Sequence, residues 1–197
     1  MDIIWHGHSC FTIKGKRATI VTDPYVGTGS KHEKFKGDMV LASELQSEKL
    51  AEVEGQPVKV DLPGEYEIRG VSIQGIQAPK KTVIYTFLVD DVKICHMGQI
   101  SDTLPDEMIE KIGDVDVLMI PVGGKGGDKN GLEAKKAHEI IEDIEPRLVI
   151  PMGDESDAVQ SLLKISGVNP EPKDLLTIAG RTQLPQDKTE YVVLNAR

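Results

Sequence analysis

Residues 3–11, IIWHGHSCF, set His6 and His8 one residue apart, with Cys10 two positions further on. Imidazole nitrogen and thiolate sulfur are ligands that zinc prefers, so the spacing raises the question of a metal site. On a strand, residues i and i+2 face the same way, which would let the two imidazoles share one ion. Two ligands are too few, because zinc needs three or four at about 2.0–2.3 Å. His6 and His8 are therefore read as structural groups or as hydrogen-bonding surroundings of a site, in preference to direct ligands. Cys10 is read as a small buried hydrophobe.

Other residues could also do chemistry, and each has a plainer explanation. Asp23 in TDPY could orient a ligand, but Asp before Pro is a common turn opener, and the turn is favoured. His96 follows the apolar run VKIC and is read first as a polar residue satisfied at a strand end. His138 belongs to a helix face and His32 to a charged loop. The loop GGKGGDKNG, residues 123–131, has enough glycine for an anion nest but lacks the G-x-x-x-x-G-K-[ST] pattern. A connection between strand and helix is the favoured reading. Glu65 and Glu67 read as exposed strand residues.

These residues need elements to position them. Short β-rich segments separated by turns fill the first half: DIIWHG, SCFTIKG, ATIVTDP, DMVLAS, VKVDLPG, YEIRG, VSIQGIQA, VIYTFLVDD and VKICHMG. The second half changes period. PDEMIEKIG and LEAKKAHEIIEDIEP read as amphipathic helices, each leading into an apolar strand, VDVLMIPVGG or RLVIPMGD. Strands of that kind in α/β sheets carry sites in the loops at their ends. After DMVLA, Ser43 and Gln46 fit a capping box, with Glu44 and Glu48 at the positive end of the dipole and Gly55 as the stop, which predicts a helix.

At 197 residues the chain suits one compact domain, taken as 1–197. A formal charge of −9 repels polyphosphate and anionic lipid, and no basic patch offsets it, so neither nucleic acid nor membrane is an expected partner. No run approaches the roughly 18 apolar residues of a membrane span. Two cysteines in apolar segments, with no signal-peptide pattern in front of them, predict a reduced, cytoplasmic setting.

Eight blocks in order carry a resemblance: WHGHSCFTI, TDPY, DMVLAS, PGEYEIRGVSIQGI, ICHMG, GDVDVLMIPVGG, EPRLVIPMGD and EPKDLLTI. Together they resemble the metallo-β-lactamase-fold hydrolases, and among them the short bacterial Zn-dependent hydrolases similar to L-ascorbate-6-phosphate lactonase. The resemblance implies an α/β fold, an αββα sandwich of two mixed β-sheets between outer helices. It also implies a zinc centre whose ligands come mostly from an H-x-H-x-D-H loop after the strand similar to DMVLAS.

At the matching positions this chain reads Glu44, Leu45, Gln46, Ser47, Glu48 and Lys49. The family's H-L-G-D appears as His96, Met97, Gly98 and Gln99, so the histidine is kept and the bridging carboxylate is an amide. Where relatives read I-P-M-H, Gly153 stands in place of the histidine, with Asp154 after it. The mid-chain histidine expected after GIQ falls in APKKT and is absent.

Measured against that pattern, the candidates for a remnant site are His8, Asp23, Glu44, Glu48, Lys49, His96, Gln99 and Asp154. One retained ligand cannot hold zinc, so no metal or other cofactor is expected, zinc being implied by the family alone. The favoured function is a non-catalytic pseudo-hydrolase acting by binding or regulation, with a small molecule or a protein as partner and self-association left open. The alternative is a hydrolase with a rebuilt oxygen-rich centre of Glu44, Glu48, His96 and Asp154, suited to Mn²⁺ or Mg²⁺. Whether the chain is an enzyme stays open, and Lys49, an ammonium in the place of a ligand, argues against a cation.

Overall fold

The computed structural model describes residues 1–25, 34–44, 50–123, 131–153 and 156–197. The first half contains β1 (Asp2–Trp5), β2 (Phe11–Lys14), β3 (Thr19–Thr22), β4 (Phe35–Lys36), β5 (Met39–Leu41), β6 (Val53–Glu54) and β7 (Val58–Val60). Next come β8 (Gly64–Ile68), β9 (Val71–Gln77), β10 (Val83–Val89) and β11 (Val92–His96). The second half alternates α1 (Asp106–Ile112), β12 (Val117–Pro121), α2 (Ala134–Ile144), β13 (Leu148–Met152) and α3 (Ser156–Ile165), closing with β14 (Leu176–Thr177) and β15 (Glu190–Tyr191).

Two mixed sheets face each other. The first runs β14-β1-β2-β3-β5-β7 and the second β15-β13-β12-β11-β10-β9-β8. Short turns make β1–β2–β3 and β8–β9–β10–β11 antiparallel, whereas β11, β12 and β13 are parallel because α1 and α2 carry the chain back across the sheet. Alternation along the strands decides the core. Ile13 and Ile20 from one sheet, with Tyr85, Phe87 and Ile94 from the other, form the layer between them.

The three described helices all lie against the seven-stranded sheet. In α2, Ala137, Ile140, Ile141 and Ile144 recur at helical spacing and bury against Leu118, Ile120 and Val149. The outer side of the six-stranded sheet carries a two-stranded ribbon, β4 with β6, whose Phe35 and Val53 pack on Val21, Val40 and Cys10.

That ribbon corrects the predicted helix after Ser43. Leu50 pairs with Tyr25 as an isolated bridge and Val53–Glu54 is strand, so no helix runs to Gly55, whose φ of 105° makes it the turn into β7. Residues 45–49 lie outside the described residues. No described helix is long and apolar enough to cross a membrane.

Candidate functional site

The candidate residues gather where β1, β3, β5 and β11 end. β1 stops at Trp5, and the chain then folds into a tight loop. His6 N donates to Cys10 O at 2.9 Å, Cys10 N donates to Gly7 O at 2.9 Å, and φ is 98° at Gly7 and 47° at His8. Strand alternation therefore does not apply beyond Trp5, and His6 and His8 diverge. The buried His6 ring bonds Thr12 Oγ1 at 2.8 Å and meets the edge of Phe35 with ring centres 5.1 Å apart. His8 is exposed. Cys10 is fully buried, as expected for a free cysteine acting as a hydrophobe.

Asp23 is a turn residue, since Tyr25 N donates to its carbonyl at 2.7 Å, but the turn is only half of its role. Its carboxylate is fully buried and accepts from Ser43 N and from Ser43 Oγ, both at 2.6 Å, tying the end of β3 to the end of β5. This corrects two expectations. Asp23 is more than a turn opener, and the Ser43 hydroxyl is committed to Asp23. The φ of 41° at Asp23 is an uncommon conformation that the two bonds help hold.

His96 is wholly buried at the end of β11. Gly98 N lies 3.3 Å from Nδ1, and because a backbone N–H can only donate, Nδ1 is the acceptor. Nε2 then carries the proton and donates to Ser9 O at 2.9 Å. Burial lowers the basicity of the ring, opposed by the Asp23 carboxylate, whose Oδ2 is 4.0 Å from Nε2. The imidazole is therefore neutral with both nitrogens taken by the backbone, which supports its reading as a satisfied strand-end residue.

Gln99 donates through Nε2 to Ser9 Oγ at 3.2 Å. With His8, Ser9, Val122, Gly131 and Gly153 it lines a small pocket of about 40 Å³. Glu44 is exposed, and its amide donates to Tyr25 Oη at 3.2 Å. Glu48, Lys49 and Asp154 lie outside the described residues, as do His32 and positions 124–130 of the glycine-rich loop. His138 sits half-buried on α2, with Ser166 Oγ 3.3 Å from Nδ1 and Glu142 3.7 Å from Nε2, as its helix face predicts. Glu65 and Glu67 are exposed, lining a separate hollow of about 590 Å³ over the open face of β8 to β11 that contains none of the remnant residues.

The zinc centre that the resemblance implies does not fit these groups. Among the described residues no three His, Cys, Asp or Glu side chains are placed to hold an ion. The Asp23 carboxylate accepts two bonds from Ser43, and both His96 nitrogens are taken by backbone groups. A ligand needs a free lone pair aimed at the ion, and the His96 ring offers none in this arrangement.

A family model described as "Beta-lactamase superfamily domain" matches residues 2–153. Among curated relatives, a UPF0173 protein of Pyrococcus abyssi is 25% identical over 183 residues, covering 77% of this chain and 82% of the relative. A UPF0173 metal-dependent hydrolase of Thermoplasma acidophilum is 25% identical over 189 residues with the same coverage. Among solved structures, a metallo-beta-lactamase superfamily protein of Thermotoga maritima superposes with a TM-score of 0.81 at 28% identity, covering 98% of each chain. The structure of a metal-dependent hydrolase from Parabacteroides distasonis has a TM-score of 0.64 at 17% identity over 85% of this chain and 90% of its own, a likeness of fold.

Proposed function

Because the chain belongs to the beta-lactamase superfamily, with relatives named metal-dependent hydrolases, we propose that it is a pseudo-hydrolase that keeps the fold and acts by binding or regulation without a catalytic ion. The carrying observation is His96. The one retained ligand of the implied centre has its Nε2 proton on Ser9 O and its Nδ1 lone pair on Gly98 N–H. The chain's partner is a small molecule or a protein that recognises the loop end of the sandwich.

The test is the metal content of protein purified without chelator. Less than one equivalent of zinc is expected, and stoichiometric, tightly held zinc overturns the reading. β-Lactam, phosphodiester and lactone substrates should show no turnover above background, since no metal hydroxide would form. Hydrolysis that a chelator abolishes and Mn²⁺ restores would instead favour the oxygen-rich centre of Glu44, Glu48, His96 and Asp154.

A further inference from the structure

Residue 153 directly follows β13 and lines the small pocket with His8, Ser9 and Gln99. Its φ is +144°, a conformation that side-chain-bearing residues rarely adopt. A Cβ built there would fall on the carbonyl oxygen of Val122, well inside van der Waals contact, with the Val122 carbonyl carbon only 3.3 Å away. Val122 cannot yield cheaply. Its amide donates to Met152 O at 2.7 Å, it is bridged to Leu132, and the next amide, Gly123 N, donates to Leu132 O at 2.9 Å. Gly131 is also packed closely, though less so, since a Cβ on it would meet Gly123 N at 2.9 Å.

We infer that position 153 is closed to every side chain. The main chain at Val122, just after β12, fills the space that a side chain at 153 would occupy, so position 153 can supply no side-chain ligand to the pocket. The inference rests on the metal-free reading of the site and adds that restoring a histidine at 153 does not reopen it. Gly153 is thereby a positioning residue for the pocket, holding the ends of β12 and β13 together where a side chain would part them.

Thermal melting of two alanine variants separates contact from backbone conformation. Gly64 has nearly the same φ, at +146°, but a Cβ on it would meet only the Tyr66 side chain at 3.4 Å or more, an ordinary contact, so Gly64→Ala reports the conformational cost alone, about 3 °C in melting temperature. Gly153→Ala adds the collision with Val122 and is expected to lose about 8 °C or more. Equal losses in the two variants would overturn the inference. Gly153→His, melted and dialysed against zinc chloride, is expected to show neither a zinc-dependent rise in melting temperature nor one bound equivalent. A Gly153→His protein that melts with the wild type and retains one zinc would overturn it as well. Zinc content of the wild type tests the metal-free reading by itself, and Gly153→Ala tests the closure by itself, so either can fail without the other.

Discussion

Asp23 takes both donors of a single serine, so its removal strands two buried groups at once. Asp23→Ala leaves the Ser43 amide and hydroxyl without their acceptor, a loss of about 3 kcal/mol, or a melting temperature lower by some 6–12 °C. Ser43→Ala removes only the hydroxyl bond and should cost about 1 kcal/mol. An Asp23→Ala protein that melts within a degree of the wild type would reduce Asp23 to a turn opener. Asp-Pro advertises that turn locally, whereas the Ser43 contact joins positions twenty residues apart, which no local pattern encodes. His96 is legible as a satisfied strand-end group, but its partners, Ser9 and Gly98, act through backbone atoms that any residue would present. Cysteine behaviour is legible throughout. Cys95 is fully buried, which pushes its thiol up to about 12, so no thiolate exists at pH 8. Neither Cys95 nor the equally buried Cys10 should react with a thiol reagent in the folded protein, and both should react in denaturant.

Elements whose hydrophobic period repeats are readable from the residues, and those too short to repeat are not. α2 carries its buried Ala137, Ile140, Ile141 and Ile144 at helical spacing, and the strands from β7 to β11 alternate or run apolar as expected. β4, β6, β14 and β15 have two residues each, so no period exists to detect, and β6 stands where the residues leading to Gly55 suggest the end of a helix. α3 is absent from the expected elements, although Ala158, Val159, Leu162 and Leu163 trace an apolar stripe at helical spacing that could reveal it. What aligns these elements is again a long-range polar group. Asp116, buried just before β12, accepts from Lys93 N at 2.9 Å and from Arg181 Nε at 3.0 Å and forms an ion pair with Arg147, whose Nε is 3.0 Å away, binding β11, β12 and the segment after β14 into one corner. Asp116→Ala should cost about 2–3 kcal/mol in denaturant unfolding, because the Lys93 amide and the partly buried Arg147 both lose their partner. Arg181 is more than half exposed and solvent screens it, so Arg181→Ala should cost well under 1 kcal/mol. Equal costs for the two variants would mean that the cluster is an ordinary surface pair.

Across the whole molecule the two sheets are joined by direct protein bonds at the candidate site's end. Tyr85 Oη lies 3.1 Å from both Ala42 O and Val60 O and shares its one proton between them, Val83 N donates to Ser43 O at 2.7 Å, and His96 reaches Ser9 from the opposite sheet. The apolar layer between the sheets is likewise shared, with Phe11 and Leu41 from one side and Tyr85 and Ile150 from the other. A core divided in this way has no sheet that could stay folded alone, so 1–197 should unfold as one unit. The chain supplies its own probes. Trp5 is the sole tryptophan and lies on β1 of the six-stranded sheet, whereas α1, α2 and α3 all pack on the seven-stranded sheet. Tryptophan fluorescence thus reports one side of the sandwich and helical circular dichroism the other, and the two melting curves are expected to coincide. Tyr85→Phe removes the hydroxyl that spans the sheets while keeping the ring, and should lower the midpoint of both curves together by about 1–2 kcal/mol of stability. Burial keeps that phenol protonated far into the alkaline range, so the effect should not change between pH 6 and pH 9. Curves that separate, in the wild type or in Tyr85→Phe, would show two units where the shared core requires one.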